Sequence, residues 1–173
     1  MNEAIANLLN RRSVRSYTDQ QVPDELLDTV LEAGLYAPSG MNTQGVRLVA
    51  VRDKETRDLL SRLNAAVMGA DRDPFYGAPC VIVVLADPEI YGGWVEDGAL
   101  ALGNMMNAAH ALGLGSCWIH RARQVFDVPE GKELLKKWGL EEHLRGVGNC
   151  ILGYPVEVPP ARPRKEGRIV KVG

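Results

Sequence analysis

The stretch from Trp94 to Ile119, WVEDGALALGNMMNAAHALGLGSCWI, narrows most sharply what this chain can fold into. Ala99, Leu100, Ala101, Leu102, Met105, Met106, Ala108, Ala109, Ala111 and Leu112 recur at spacings that cover nearly the whole circumference of a helix. No wide face is left for water, so the helix must be buried. Glu96 and Asp97 fall in its first turn, where the partial positive charge of a helix start favours them, and Gly113 follows the last apolar turn as a terminator. At the helical rise such a segment is about 25 Å long. In a chain of 173 residues, either the remaining elements wrap that helix on every side or a second copy supplies the missing cover. A homodimer is therefore the expectation.

No Asp, Glu, Lys or Arg occurs between Gly98 and Ile119, which raises the alternative of a membrane span. Asn104, Asn107, His110 and repeated glycines dilute the run, and each amide is costly in hydrocarbon without a partner. The buried helix of a soluble protein is the better reading. The whole sequence agrees: 46% hydrophobic, 24% charged, net charge −2. This is the profile of one ordinary domain spanning residues 1–173, without the basic excess that nucleic acid or a membrane surface attracts. Cys80, Cys117 and Cys150 sit in apolar runs without metal-ligand spacing and read as buried thiols in a reducing compartment. The start MNEAIANLLNRR lacks the apolar run of a secretory leader, so the expected location is cytoplasmic.

Taken in order, residues 3–10 form a short amphipathic helix with Ile5, Leu8 and Leu9 on one side, leading into Arg11-Arg12-Ser13-Val14-Arg15. A second helix begins near Pro23 and uses Leu26, Leu27, Val30, Leu31 and Leu35. Ala37-Pro38-Ser39-Gly40 stops it, and a loop to Gly45 opens a strand over residues 46–51. Asp53 caps a third helix reaching about Val67, with Leu59, Leu60 and Leu63 inward. PCVIVVLA, residues 79–86, is a continuous apolar run that predicts a central strand covered on both faces. The long helix follows, then a strand over 115–120, a helical surface region over 125–138 with Lys132, Lys136 and Lys137 outward, and a fourth strand over 147–152. The proline-rich basic tail from residue 156 onward cannot enter a central strand and should run extended over a surface, its own or a partner's. This order predicts a mixed α/β or α+β sheet flanked by helices.

Three constellations could carry chemistry. Arg11, Arg12 and Arg15 surround Ser13, a grouping that suits a phosphate dianion but also describes a solvated charge cluster. Arg162, Arg164 and Lys165 could close on the same anion if the chain ends meet. Residues 38–44, Pro-Ser-Gly-Met-Asn-Thr-Gln, are dense in small hydrogen-bonding groups, though an ordinary connecting loop looks the same. Gly113-x-Gly115 follows a helix, whereas a dinucleotide fingerprint follows a strand, so a Rossmann reading is rejected. His110, His120 and His143 show no metal spacing. His110 reads as a core helix residue, His143 as surface, and His120, ending a strand, as the one bordering a site. With no catalytic acid, base or nucleophile to defend, borrowed cofactor reactivity is the natural alternative.

Arg-Arg-Ser-Val-Arg at 11–15, Ala-Pro-Ser-Gly-Met-Asn-Thr-Gln at 37–44, Tyr-Gly-Ala-Pro at 76–79, Leu-Gly-Leu-Gly-Ser-Cys-Trp-Ile at 112–119, and Leu-Gly-Tyr-Pro at 152–155 with the Arg-Pro-Arg-Lys tail occur in one order. Together they resemble the nitroreductase family of FMN-dependent oxidoreductases. The resemblance implies an α+β fold with a mainly antiparallel sheet, the long helix at the centre of an intertwined homodimer, and residues 156–173 as an arm crossing to the partner. It implies tightly but non-covalently bound FMN at the interface. Arg11 and Ser13 would hold its phosphate with Arg164 and Arg162, and Arg12 would lie beside them. Arg15 would approach the N1/C2 carbonyl edge, where a cation favours the reduced ring. Pro38, Ser39 and Asn42 would reach the flavin from the other subunit, and the strand end Trp118, Ile119, His120 and Arg121 would pass beneath it, offering backbone N–H to N5.

The implied activity is a ping-pong cycle in which NAD(P)H delivers hydride to N5 and a small electron-poor acceptor, a nitroaromatic or quinone, collects it, with no essential catalytic side chain. Gln44-Gly45-Val46 departs from the family's common Gln-Pro-Trp, and the stretch 64–77 offers no residue to carry over. Enone reduction, reductive dehalogenation, a non-catalytic FMN-storage or sensing module, and an anion-binding structural dimer are the alternatives.

Overall fold

A run of β-branched residues too apolar for any surface dictates the centre of the fold. In a computed structural model describing residues 1–173, Cys80–Ala86 forms strand β2, buried at every position. It pairs antiparallel on one side with β1 (Val46–Val51) and on the other with β4 (Arg145–Gly153), and β4 pairs antiparallel with β3 (Gly115–Ile119). The spatial order is β1-β2-β4-β3. The α+β class and the central place of residues 80–86 are as read from sequence.

Alternation along β2 sends side chains to two separate cores. Val81, Val83 and Leu85 join one that is completed by Leu60 of α3 (Lys54–Met68), by Val125 and Phe126 of α5 (Ala122–Asp127), and by Leu134 and Leu135 of α6 (Pro129–Lys137). Cys80, Ile82 and Val84 join the other, closed by Leu27 and Val30 of α2 (Asp24–Leu35) and by Leu102, Met105 and Ala109 of α4 (Trp94–Ala111). Gly34 lets α2 and α4 approach closely, since a Cβ there would lie 2.7 Å from Met105 Cγ. Asp53 caps α3 as expected, its Oδ2 accepting from Thr56 N at 2.8 Å. Gly113 terminates α4 in the left-handed region, φ 75°.

Three expectations need correction. The region 125–138 is two helices, because Val128 is extended and Pro129 opens α6 afresh; its residues Val125, Phe126, Leu134 and Leu135 are core, not surface. His110 is only partly buried and makes no side-chain hydrogen bond, so it is not a core histidine. The inward face of α3 carries buried Arg57, Ser61 and Asn64 beside Leu60, whereas Leu59 and Leu63 are only partly covered. The tail from residue 156 onward is exposed and forms no helix or strand in the protomer.

The long helix is buried along one stripe only, Asp97, Gly98, Ala101, Leu102, Met105 and Ala109. Leu100 remains 47% exposed, and no residue of α1 (Glu3–Asn10) is buried, with Leu8 at 54% and Leu9 at 56%. No helix is long and apolar enough to cross a membrane.

Candidate functional site

The arginine segment is placed by a small hydrophobe. Val14, 2% exposed, packs against Gly115, and its N–H donates to Ser116 O at 3.0 Å, so residues 13–14 run parallel to β3 along its free edge. In extended chain alternate residues share a side, which groups Arg11, Ser13 and Arg15 and turns Arg12 away with Val14. Arg12 accordingly donates its Nη1 to Leu9 O (2.8 Å) and Arg11 O (2.9 Å), satisfying carbonyls at the end of α1. Arg11 is different: its Nη1 is buried without any hydrogen-bond partner.

Arg15 stands over the Tyr76 ring, 5.9 Å from its centroid, and borders a cavity of about 300 Å³. Trp118, Ile119 and His120 form one wall, and Met68, Arg72, Pro74, Tyr76 and Arg121 complete it. The cavity therefore holds three arginines and a histidine but no carboxylate, and Arg15, Arg72 and Arg121 enter no ion pair. Within residues 68–76, Met68, Arg72, Pro74 and Tyr76 are wall residues to which the sequence assigned no role. Asp73 shapes them. It accepts from Arg57 Nη2 (2.6 Å), Ser61 Oγ (2.6 Å), Phe75 N (2.9 Å) and Gly77 N (2.7 Å). Burial works to raise its carboxyl, but these bonds together hold it below the usual carboxylate range.

The loop 38–44 lies elsewhere. Pro38 and Ser39 border a second cavity, also about 300 Å³, with Gln44, Arg47, Asp97 and Ala101. Ser39 Oγ accepts from Gln44 N (3.1 Å), and Asn42 is exposed, its Oδ1 accepting from Gln44 Nε2 (3.3 Å). Asp97, read from sequence only as a favourable helix-start charge, is 6% exposed and accepts from Gly40 N at 2.9 Å. It ties the loop to the long helix. A larger residue at Gly40 would displace the Tyr91 ring, since a Cβ there would lie 2.0 Å from it. Gly45, by contrast, has room: a Cβ would meet nothing closer than 3.8 Å.

Every non-glycine residue with positive φ belongs to these two groups: Met41, Asn42 and Gln44 in the loop, Tyr76 and Arg121 at the arginine-lined cavity. Strain of this kind collects where geometry serves a ligand. The two groups do not meet in one protomer. β3 runs toward the end of the sheet at which β1 begins, but the strands are at opposite edges, roughly 14 Å apart across three strand spacings. Arg162 and Arg164 are exposed, without ion pair or side-chain hydrogen bond. The tail does leave the body beside the arginine segment, since Thr18 N donates to Tyr154 O and Val156 N to Ser16 O, both at 3.0 Å.

Thiol chemistry has no place here. All three cysteines are free and buried, and burial pushes Cys80 up to about 12. No group of three or more His, Cys, Asp or Glu side chains is arranged to hold a metal ion.

An antiparallel four-stranded sheet between helical layers, with a strained, arginine-rich rim and no acid–base pair, defines a cofactor- or anion-binding α+β protein. The chain belongs to the nitroreductase family, whose pattern it matches over residues 8–154. It is 32% identical to the FMN reductase (NAD(P)H) of Bacillus subtilis over 95% of this chain and 70% of that one. It superimposes with a TM-score of 0.91 on a nitroreductase with bound FMN from Bacteroides fragilis, 31% identical, covering all of both chains. A nitroreductase with bound FMN from Desulfitobacterium hafniense gives 0.90 at 28% identity, again over both whole chains.

Proposed function

We propose that this chain is an FMN-dependent oxidoreductase that takes electrons from NAD(P)H and passes them to small electron-poor acceptors such as nitroaromatics or quinones. The observation that carries the reading is the buried Arg11 Nη1 with no partner. A guanidinium nitrogen withdrawn from water and left unpaired is costly, and a phosphate oxygen is the acceptor it fits. Ser13 shares its side of the extended segment and adds a hydroxyl. Arg12, committed to the carbonyls of α1, stands beside this cradle and holds its backbone.

The donor set fits FMN beyond the phosphate. Arg15 provides a cation for the pyrimidine edge, Trp118, Ile119 and His120 provide a wall and backbone amides, and the cavity contains no carboxylate to oppose an electron-rich ring. When bound, FMN supplies the hydride-carrying centre, so the chain needs only to orient it and leave one face open. Electron-poor acceptors follow from that chemistry and from relatives named FMN reductase and, in Salmonella typhimurium, oxygen-insensitive NADPH nitroreductase.

We infer a homodimer on separate grounds. The uncovered apolar faces of α1 and α4 need a cover, and Pro38, Ser39 and Asn42 reach a flavin at the Arg11–Arg15 cradle only from a second copy. The arm 156–173, with Arg162 and Arg164, then crosses onto the partner and closes over the phosphate, completing one FMN-binding domain over residues 1–173. Three buried free thiols suit a cytoplasmic setting.

Purified protein tests the reading. A yellow preparation with a flavin spectrum, bleached anaerobically by NADH or NADPH and recoloured by a nitroaromatic or quinone, supports it. Colour without bleaching leaves an FMN-binding module, and colourless protein that takes up no added FMN defeats both.

A further inference from the structure

The polar side chain most completely withdrawn from water in this protein lies outside every motif discussed above. Asn64, on α3, is 0% exposed. A buried carboxamide is costly unless its groups are paired, and both of its ends are. Nδ2 donates to His120 O at 2.8 Å, and Oδ1 accepts from Arg121 Nε at 3.1 Å. One side chain thus grips two consecutive residues, the backbone of the first and the guanidinium of the second.

Those residues form the turn between β3 and α5, where Arg121 adopts φ 77°. A side chain other than glycine, asparagine or aspartate is costly there and persists only where its surroundings impose it. Asn64 is the imposing group. The same contact aims the Arg121 guanidinium, whose Nη2 lies 3.1 Å from Met68 Sδ one helical turn further along α3. The turn, Arg121 and Met68 all border the cavity that Arg15 also lines.

We propose that Asn64 is a positioning residue for the redox cofactor: its carboxamide holds the strained His120–Arg121 turn, and through it sets the backbone wall and the second cation that face the flavin. The flavin half of the inference rests on the function proposed above. The clamp itself does not.

Two measurements separate them. In flavin-free protein, Asn64→Leu removes both bonds while keeping the side chain's heavy-atom number and branching, and hydrogen exchange at residues 118–123 is expected to accelerate on the order of tenfold, the effect of losing one or two hydrogen bonds, while β2 and β4 keep their protection. In FMN-loaded protein the same variant retains flavin, because the phosphate cradle is untouched, but its visible spectrum and midpoint potential shift. Anaerobic reduction by NAD(P)H should slow on the order of 10- to 100-fold, as misplacement near a reacting centre does, with a smaller change in nicotinamide KM.

Should Asn64→Leu fold poorly, Asn64→Asp keeps the acceptor for Arg121 and loses the donor to His120, and intermediate shifts are expected. In an Arg121→Gly background, where glycine takes the left-handed backbone freely, Asn64→Leu should cost less than it does alone. Unchanged exchange at 118–123 overturns the clamp. Bound flavin with unchanged spectrum, potential and reduction rate overturns its role toward the cofactor. Wild-type protein that takes up no FMN overturns the functional reading and the flavin half with it, while the exchange result still decides the clamp.

Discussion

The two faces of the sheet are finished to different degrees. On one, α3, α5 and α6 bury Phe126, Leu135 and Leu144 to 1% exposure or less, Asp73 ties off Arg57 and Ser61, and Asn64 ties off the His120–Arg121 turn. On the other, Leu27 and Val30 of α2 and Leu102 and Met105 of α4 close on the sheet, yet Leu100, Leu8 and Leu9 are exposed, and a groove of about 520 Å³ lined by Leu8, Asn104, Ala108 and Ala111 opens between α1 and α4. The closed face is a domain core in the ordinary sense. The open face behaves like half a core. The proposed dimer would complete that face and build the flavin site from two chains.

Several substitutions break or sharpen that contrast. Leu100→Lys should place an uncompensated charge in the second face and cost several kcal/mol of association; sedimentation is expected to show monomer, and FMN to be lost with the dimer. Phe126→Ala, on the closed face, should lower unfolding free energy by about 3 to 5 kcal/mol in urea while the assembly state stays that of the wild type at low denaturant. A dimer surviving Leu100→Lys would mean the open face is simply exposed. Arg11→Ala should weaken FMN binding by about 1.5 to 3 kcal/mol, the worth of a charge-assisted hydrogen bond, with the dimer intact; fluorescence titration measures it.

The smallest expected effect is a pH dependence. His143 Nε2 lies 3.1 Å from Asp87 Oδ2 on the protein surface. The bond to Asp87 raises the imidazole above its ordinary value. At Asp87 burial pushes the carboxyl up, but the bonds from His143 and the Glu89 N–H prevail and hold it below the carboxylate range. The pair's stabilisation is therefore complete below the ordinary histidine value and fades as pH rises through the raised one. At the acid end it fades as pH falls through the lowered Asp87 value. Thermal unfolding of His143→Gln should match wild type at pH 8.5 and fall below it at pH 5.5. Equal differences at both pH values would remove the ion pair from the account.

Much of this was legible from residue patterns. The continuous apolar run of β2, the cap at Asp53 and the stop at Gly113 each carry a local physical signature. The apolar run of the long helix also carries a signature, and it motivates the proposed second copy, since α4 is buried along one stripe only in the protomer. What stayed hidden were contacts between distant segments. Asp97 looked like a dipole partner because its bond to Gly40 spans 57 residues, and Asn64 carried no signal at all because its partners lie 56 and 57 residues away. Arg72 and Tyr76 were obscured by a loop whose shape depends on Asp73 reaching α3. The break at Val128-Pro129 was the one local signal passed over, since a proline at a helix start reads as a new beginning.

Native mass spectrometry of the purified protein tests most directly the claim that two chains jointly build a flavin site. Two chains carrying two FMN molecules, with flavin lost when the dimer is dissociated, is the expected result. A single chain that binds FMN alone, or a dimer that binds none when FMN is supplied in excess, would contradict the account.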